Sequence, residues 1–385
     1  MSRKIHIACV FEHPTLSGGE RSMLEVLRHL SGPEFEFRAL VRPESALGDA
    51  LKQRGINTLP FERINQRKGW QEPAERNAEA VSGLLATHFR NADIVHGNSL
   101  STALFTGLVG ELRKIPSVGH VREIEGLNPT RARRLSKNRK LIAVSSAVRS
   151  HLEGEGVERE RVEVIYNGVD LNALDPARVQ GSIRDELSIP RTAPLIAAIG
   201  QISARKATDV FLATACQLVR RYPDLHALVV GQRFSQKAQN AEIEVDLRQA
   251  ISSEDLQHRI HLVGWRDDVP AILRDLDLLV HPARQEPLGR VILEASAMGV
   301  PCIATNVGGN PEIIDPGVTG WLAPLDNPDA LAERVSLALD SPHERARAGL
   351  EARRKAERVF SGEASAREMA RVYRELAAEQ PRPAR

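Results

Sequence analysis

Two glutamates stand eight residues apart in the stretch 281–301, where a strand pattern gives way to a helix pattern. Glu286 follows the apolar run that ends at His281, and Glu294 falls in the second turn of a helix that begins near Gly289. The first N–H groups of such a helix have no carbonyl partner within it, and the helix dipole favours an anion such as phosphate there. Carboxylates beside that position can accept hydrogen bonds from sugar or ribose hydroxyls. Taken alone, however, two glutamates are more typical of solvated side chains.

Further candidate residues lie in or after other apolar runs. Gly18 and Gly19 follow the first run, His120 lies near the end of the run 117–121, and Lys206 follows the run 195–199. The sequence has no convincing Asp-x-Asp loop and no His/Cys cluster with ligand spacing, so it predicts no metal site.

Short apolar runs alternate with helical patterns along almost the whole chain, which is typical of βαβ units in a parallel sheet. The alternation lapses within 170–194, a stretch rich in proline. The sequence therefore predicts two doubly wound α/β domains, 1–175 and 193–360, joined by a linker at 176–192 and followed by a helical segment at 361–385. Ligands bind such sheets at the carboxyl ends of the strands, so we expect the chemistry in the loops that follow strands.

Composition narrows the class of protein. The 385 residues are 42% hydrophobic and 26% charged, which excludes extensive disorder, and the net charge of +2 argues against nucleic acid as the main partner. No apolar run approaches the roughly 20 residues that span a bilayer, and the run 5–11 is too short for a signal peptide, so we expect a cytoplasmic protein. Three widely spaced cysteines in apolar contexts are typical of reduced, buried residues (Cys9, Cys216 and Cys302).

The order of several motifs resembles the retaining glycosyltransferases of family four. Glu286 and Glu294 form the Glu-x7-Glu pair that is the hallmark of that family, and they are followed by Gly308-Gly-x-Pro-Glu and Gly317-x-Thr-Gly. Upstream, family segments are matched by Ser17-Gly-Gly-Glu-Arg, His120-Val-Arg-Glu, Val144-Ser-Ser-Ala-Val-Arg, Val164-Ile-Tyr-Asn-Gly-Val-Asp and Gly200-Gln-Ile-Ser-Ala-Arg-Lys. A lone pair of glutamates is a weak signal, but this ordered set covers most of the chain.

The resemblance implies the GT-B fold, with two Rossmann-like domains facing a central cleft and a C-terminal helix that crosses back to the N-terminal domain. It implies that His120 and Glu286 are catalytic: His120 lies beside the transferred sugar and the acceptor, and Glu286 holds the sugar's hydroxyls. The implied donor-binding residues are Gly18, Gly19, Gln201, Arg205, Lys206, Trp265, Leu288, Gly289, Arg290, Val291 and Glu294.

Within that set, the resemblance implies that Glu294 binds the donor ribose and that Lys206 neutralises the charge of the diphosphate. Main-chain amides at 288–290 hold the diphosphate, and Gly18 and Gly19 close over it. The chain departs from the family in three places: Gln201 stands where the family often has Arg, Ala207 where it has Gly, and Leu288 where it has Phe. Gln201 cannot supply a positive charge, and Arg205 is a candidate replacement.

Each of three features allows two interpretations. His96 either supports packing or lines the site, and Trp265 either contacts the base or packs. The basic stretch Arg131–Lys140 is foremost a solvated helix face, and alternatively a patch that contacts anionic lipid or a lipid-diphosphate acceptor at the inner face of the membrane.

The sequence therefore predicts a retaining, metal-independent glycosyltransferase that needs no cofactor. Its partners would be a UDP- or GDP-sugar donor and a glycan or lipid-linked acceptor, as in surface polysaccharide or envelope glycan synthesis. The alternatives are a sugar-nucleotide epimerase on the same fold and a non-catalytic nucleotide-sugar-binding protein. A phosphorylase would need a pyridoxal lysine site and a much longer chain.

Overall fold

The chain folds into two compact units in a computed structural model that describes residues 3–62, 73–234, 237–253, 256 and 258–379. The first unit comprises Met1–Gly168 and Ser361–Arg385, and the second comprises Val169–Phe360.

The first unit is built on a parallel sheet whose described strands follow the order β3-β2-β1-β4-β5-β6-β7. These strands are β1 (Ile5–Val10), β2 (Phe35–Val41), β3 (Asn57–Pro60), β4 (Ile94–Gly97), β5 (Ser117–Val121), β6 (Lys140–Ala143) and β7 (Val162–Val164). The helices of this part of the chain are α1 (Gly18–Leu30), α2 (Ala46–Gln53), α3 (Pro73–His88), α4 (Leu100–Arg113), α5 (Pro129–Leu135) and α6 (Ser146–Gly154). The strand order reverses between β1 and β4, which is the position where doubly wound sheets bind ligands.

The second unit repeats this architecture with the order β10-β9-β8-β11-β12-β13, again parallel throughout the described strands. Its strands are β8 (Leu195–Ile199), β9 (His226–Val230), β10 (Ile260–Gly264), β11 (Leu278–His281), β12 (Cys302–Thr305) and β13 (Gly320–Ala323). Its helices are α7 (Ile183–Glu186), α8 (Thr208–Arg221), α9 (Ala238–Ser253), α10 (Val269–Asp275), α11 (Arg290–Ala297), α12 (Asn310–Ile313), α13 (Pro328–Leu339) and α14 (Pro342–Val359). Here the order reverses between β8 and β11.

The stretch 176–192, where the sequence predicts a linker, lies inside the second unit. Its buried Arg184 donates to the carbonyl oxygens of Pro190 and Ala193 at 2.9 and 2.8 Å. The same guanidinium donates to the backbone oxygen of Asp275 at 3.0 Å. This proline-rich stretch without a strand is therefore packed into the second unit by hydrogen bonds, those of Arg184 among them.

The last helix, α15 (Gly362–Ala378), packs in the first unit. Tyr373 is fully buried, and its ring lies 6.1 Å from the rings of both Phe35 and Phe37. Ser361 caps the helix by accepting a hydrogen bond from the N–H of Ala364 at 3.1 Å. None of the helices in the described residues is both long and apolar enough to cross a membrane.

Candidate active site

Glu286 lies in the loop between β11 and α11 and is almost completely buried. Its Oε2 accepts hydrogen bonds from Nε2 of His281, at 2.9 Å, and from Nζ of Lys206. Burial raises the pKa of this carboxyl, but the charge of Lys206 and the hydrogen bond from His281 outweigh burial and hold the pKa well below its usual range. Burial and the charge of Lys206 lower the pKa of His281. The loop therefore holds an ionised carboxylate between a neutral imidazole and an ammonium group.

Two glycines fix the backbone at Glu286. The N–H of Gly309 donates to the carbonyl oxygen of Glu286 at 2.9 Å. A Cβ at Gly308, whose φ is +52°, would lie 2.0 Å from that same oxygen, and a Cβ at Gly309 would lie 2.3 Å from the carbonyl oxygen of Pro287. Only glycine fits this approach, so the Gly-Gly-x-Pro-Glu segment packs against the loop that carries Glu286.

Helix α11 begins directly after that loop, with Gly289 as its N-cap residue. A Cβ at Gly289 would lie 2.7 Å from Cδ1 of Ile292, so the side chain of Ile292 packs directly against the backbone of Gly289. Leu288 is buried, and Val291 is half-buried. One turn further on, Oε1 of Glu294 accepts from Nε of Arg290 at 2.8 Å. The two glutamates of the pair therefore have different cationic partners.

The loop after β8 brings Lys206 to Glu286. The hydroxyl of Ser203 accepts from the N–H of Lys206 and closes a short 3₁₀ turn, Ala204–Lys206. A Cβ at Gly231, after β9, would lie 1.9 Å from the carbonyl oxygen of Gly200, so this loop and the end of β9 touch backbone to backbone. Gln201 is half-buried beside them.

Two neighbours complete that loop. The exposed Arg205 donates from Nη1 to the carbonyl oxygen of Gln285 at 3.1 Å, immediately before Glu286. Ala207 adopts a φ of +52°, the left-handed region in which glycine is favoured. That backbone conformation gives a physical reason for the glycine that the family often has here.

Trp265 follows β10 and is half exposed. Its ring meets that of Phe234 edge-on, with centroids 5.4 Å apart and an angle of 87° between the planes. The aromatic pair lies after the carboxyl ends of β9 and β10, on the side of the sheet where ligands bind. The neighbouring Arg266 is engaged by Glu186 and Asp268, each at 2.8 Å.

In the first unit, Gly18 and Gly19 form the first turn of α1. A Cβ at Gly19 would lie 2.8 Å from Cδ of Arg122, a residue that follows β5. Nε of Arg122 donates to the carbonyl oxygen of Asn98 at 3.0 Å, and Nη1 donates to Oδ1 of Asn167. This arginine thus joins the start of α1 to the loops that follow β4 and β7.

His120 is almost fully buried, and Nη2 of Arg122 lies 3.2 Å from its Nδ1. The ring of His96 stacks on it at a centroid distance of 5.6 Å, and Nδ1 of His96 lies 2.6 Å from the hydroxyl of Tyr373. Burial and the charge of Arg122 lower the pKa of both imidazoles, that of His96 to about 3. Of the two interpretations of His96, the buried packing role is the one that the structure supports.

The basic stretch Arg131–Lys140 coincides with α5 and the chain that follows it. Five of its six cations form ion pairs: Arg131 with Glu125, Arg134 with Glu75, Lys137 with Glu111, Arg139 with Glu379 and Lys140 with Glu163. Its charge is therefore largely balanced by carboxylates. In the part of the chain that the structure describes, no group of three or more His, Cys, Asp or Glu side chains could hold a metal ion.

Comparison with known proteins decides the family. The family described as Glycosyltransferase Family 4 matches residues 16–173, and that described as Glycosyl transferases group 1 matches residues 179–355. Over 319 residues, which are 74% of this chain and 80% of its relative, the chain is 30% identical to alpha-maltose-1-phosphate synthase of Mycobacterium tuberculosis. The chain belongs to the family 4 glycosyltransferases.

A further relative and two solved structures of similar fold agree with this assignment. The chain is 25% identical to the UDP-Gal:alpha-D-GlcNAc-diphosphoundecaprenol alpha-1,3-galactosyltransferase of Escherichia coli over 88% of each protein. HepE of Anabaena, crystallised with UDP-glucose, has a TM-score of 0.81 at 20% identity over 96% of this chain and all of HepE. A glycosyltransferase of Rickettsia africae has a TM-score of 0.85 at 22% identity over 98% of this chain and all of that one. The glycosyltransferase assignment and the GT-B fold class predicted from the sequence are confirmed.

The sequence assigns no role to two residues that the structure places beside predicted ones. His281 ends β11 and donates to Glu286, and Arg122 lies two residues after His120 and contacts its ring. Both stand at the carboxyl ends of strands, within five residues of a predicted site residue along the chain. That position is the signal in the sequence that identifies them.

Proposed function

We propose that this family 4 glycosyltransferase moves a sugar, with retention of configuration and without a metal ion, from a nucleotide-sugar donor to a glycan or lipid-linked acceptor of surface polysaccharide. The observation that carries the proposal is the ion pair between the half-buried Lys206 and the buried Glu286, beside the start of α11. The pair would offer a carboxylate to sugar hydroxyls and a cation to a diphosphate, beyond the carboxyl ends of the neighbouring strands β8 and β11.

A UDP-sugar is the donor that we favour. The name of the Escherichia coli relative states UDP-Gal, and HepE was crystallised with UDP-glucose. A GDP-sugar is the second candidate, because the half-exposed ring of Trp265 would offer a flat apolar face to either base.

The proposed roles are those that the family resemblance implies, and the contact of Lys206 with Glu286 supports them. Lys206 and the N–H groups at the start of α11 would stabilise the charge on the departing diphosphate. Glu286 would accept hydrogen bonds from hydroxyls of the transferred sugar, and Glu294 from the ribose. The acceptor oxygen bonds to the anomeric carbon as the carbon–phosphate oxygen bond breaks, and the acceptor's proton passes to that departing oxygen on the same face of the sugar.

The first experiment identifies the donor. A thermal-shift panel should include UDP, GDP and ADP and their glucose, galactose, mannose and N-acetylglucosamine derivatives. A ligand at 100 times its Kd stabilises the folded state by about 2.7 kcal/mol, which gives a readily measured rise in Tm.

The second experiment tests the reaction with the donor so identified. Proton NMR of the product should show the anomeric configuration of the donor sugar. Inversion of that configuration would overturn the retaining mechanism. Isomerisation of the donor without any acceptor would favour the epimerase alternative. Binding without turnover over a broad panel of sugar and polyprenyl-diphosphate acceptors would favour a binding protein.

We also propose a peripheral contact between the stretch Arg131–Lys140 and an anionic membrane. Because most of its cations are paired, we expect the contact to be weak and sensitive to salt. Sedimentation with vesicles of phosphatidylglycerol and phosphatidylcholine tests it, and Arg133→Glu should reduce the bound fraction. Equal binding to vesicles of phosphatidylcholine alone would overturn this contact without affecting the proposed transfer.

A further inference from the structure

The contact between Arg122 and His120 determines which nitrogen of the imidazole carries the proton. Nη2 of Arg122 lies 3.2 Å from Nδ1 of His120. A guanidinium group only donates hydrogen bonds, so Nδ1 must be the acceptor and carries no proton. In the neutral ring the proton is then on Nε2.

The arginine is held in this position by several groups. Nε and Nη2 of Arg122 donate to the backbone and side-chain oxygens of Asn98, at 3.0 and 2.9 Å, and Nη1 donates to Asn167. Gly19 lies against its side chain, where a Cβ would come within 2.8 Å of Cδ. The guanidinium is therefore oriented by loops on both sides of β5 and cannot turn away from the ring at little cost.

The opposite nitrogen of the ring is left without a partner. Nε2 of His120 is buried, and it has no hydrogen-bond partner among the residues that the structure describes. The stacked ring of His96 covers one face of the imidazole, and His96 is itself anchored to Tyr373 of α15. A buried N–H without a partner costs free energy that a substrate oxygen can recover.

We propose that Arg122 is a positioning residue that keeps His120 in its Nε2–H tautomer, so that His120 donates a hydrogen bond to a substrate oxygen. This inference rests on the proposed transfer reaction, in which His120 faces the sugar and the acceptor. The blocked Nδ1 and the protonated Nε2 leave no site on this ring for the acceptor's proton. His120 therefore does not act as the general base, and the proton leaves with the diphosphate.

The direct test is the tautomer itself. Long-range ¹H–¹⁵N correlation spectra of the full chain labelled with ¹⁵N-histidine distinguish Nδ1–H, Nε2–H and cationic rings. The chain has 12 histidines, and the signals of His120 are assigned by their loss in His120→Asn. We expect wild-type His120 in the Nε2–H form. A protonated Nδ1, or a cationic ring at neutral pH, would overturn the proposal.

Variants separate the tautomer from a merely structural role. Arg122→Met should give a mixture of tautomers and lower kcat by about tenfold or more, with the Kd of the nucleoside diphosphate unchanged. Arg122→Lys restores a group that only donates, so it should recover the Nε2–H form and part of kcat. Unchanged His120 signals in Arg122→Met would contradict the proposal.

Two further variants serve as controls. Asn167→Ala removes one partner of Arg122 but leaves its contact with His120, so the tautomer should persist. Arg159→Met removes an exposed arginine of the first unit that pairs with Glu153, and neither the His120 signals nor kcat should change. If no sugar nucleotide is turned over, the proposed function is wrong, but the NMR spectra still report the tautomer of His120. If transfer occurs and the tautomer is wrong, only this inference fails.

Discussion

At position 294, a carboxylate lies one helical turn after the arginine with which it pairs, and both side chains are about one-fifth exposed. Both groups are therefore accessible to a ligand at the start of α11. We predict that Glu294→Ala weakens binding of UDP by roughly tenfold or more, the loss expected when a hydrogen bond to a charged group is removed. Titration calorimetry measures this with the nucleotide alone. Glu333→Ala, on the exposed face of α13, is the matched control, and equal affinities in both variants would reject the ribose contact.

Glu286 differs from Glu294 because it is buried between Lys206 and His281. We predict that Glu286→Gln lowers kcat and kcat/KM together while UDP affinity changes little, since the contact addresses the transferred sugar. Steady-state kinetics with a fixed acceptor measures both constants. The substitution also leaves the ammonium of Lys206 without its carboxylate, so a lower Tm should accompany the loss of activity. Near-normal turnover would show that this carboxylate is not catalytic.

The buried His96 makes the stability of the first unit depend on pH. Its folded pKa of about 3 lies below the ordinary value near 6.5, so the unfolded chain binds the extra proton between these values. This part of the stability is therefore complete above about pH 6.5 and is lost as the pH falls towards 3. His96→Gln should reduce the slope of unfolding free energy against pH by up to about 1.4 kcal/mol per pH unit.

Urea unfolding at several pH values between 7 and 4 measures that slope. The control is His88→Gln, which replaces an exposed histidine on α3 of the same unit. An unchanged slope in His96→Gln would mean that this imidazole takes up its proton in the folded state.

Among the helices, α8 follows Ala207, its N-cap residue, whose backbone is in the left-handed conformation. Replacement by glycine relieves about 1–2 kcal/mol of strain, which offsets the lost methyl contact and the greater freedom of the unfolded chain. Ala215, also fully buried in α8 but in ordinary helical conformation, has no such strain. We predict that Ala207→Gly lowers the unfolding free energy by about 1–2 kcal/mol less than Ala215→Gly does. Urea unfolding decides, and equal losses would contradict the prediction.

Buried parallel strands are the elements that the sequence predicts best. The predicted runs 117–121 and 195–199 have the same bounds in the structure as β5 and β8, and the run predicted to end at His281 ends there as β11. Such strands are nearly continuous apolar runs because both of their faces are covered. Helix ends are less exact: the helix expected to begin near Gly289 begins at Arg290, with Gly289 as its N-cap residue.

The sequence does not predict contacts between residues that are far apart along the chain. The spacing of Glu286 and Glu294 predicts a helix start beside a loop acid, and the structure has one. It does not predict that Lys206, 80 residues earlier, meets Glu286 while Arg290 meets Glu294. Proline content likewise indicates the lack of a strand at 176–192, but it predicts neither the short helix α7 nor the packing of Arg184 there. These pairings depend on which strands are neighbours in the sheet. No local sequence pattern specifies that strand order.

For the whole molecule, the positive charge that a diphosphate needs is available from side chains and a helix start. Lys206 and Arg205, which follow β8, contact the loop between β11 and α11, so we predict that turnover is unchanged after dialysis against EDTA. Lys206→Met should lower kcat by about a hundredfold or more, and magnesium should not restore it. Activity that is lost with EDTA and regained with magnesium or manganese would refute a metal-independent reaction.

The first unit is formed from two separate parts of the chain, and this affects how it folds during synthesis. The sheet of the first unit is complete when Gly168 has been synthesised, but α15, which supplies Tyr373 to its core, follows the whole of Val169–Phe360. At 5–20 residues per second the ribosome takes about 10–40 s to cover that interval. Throughout it, the apolar surface around Phe35 and Phe37 lacks the helix that buries it. The second unit can thus finish folding before the first, and the nascent first unit is the part of the chain that a chaperone should recognise.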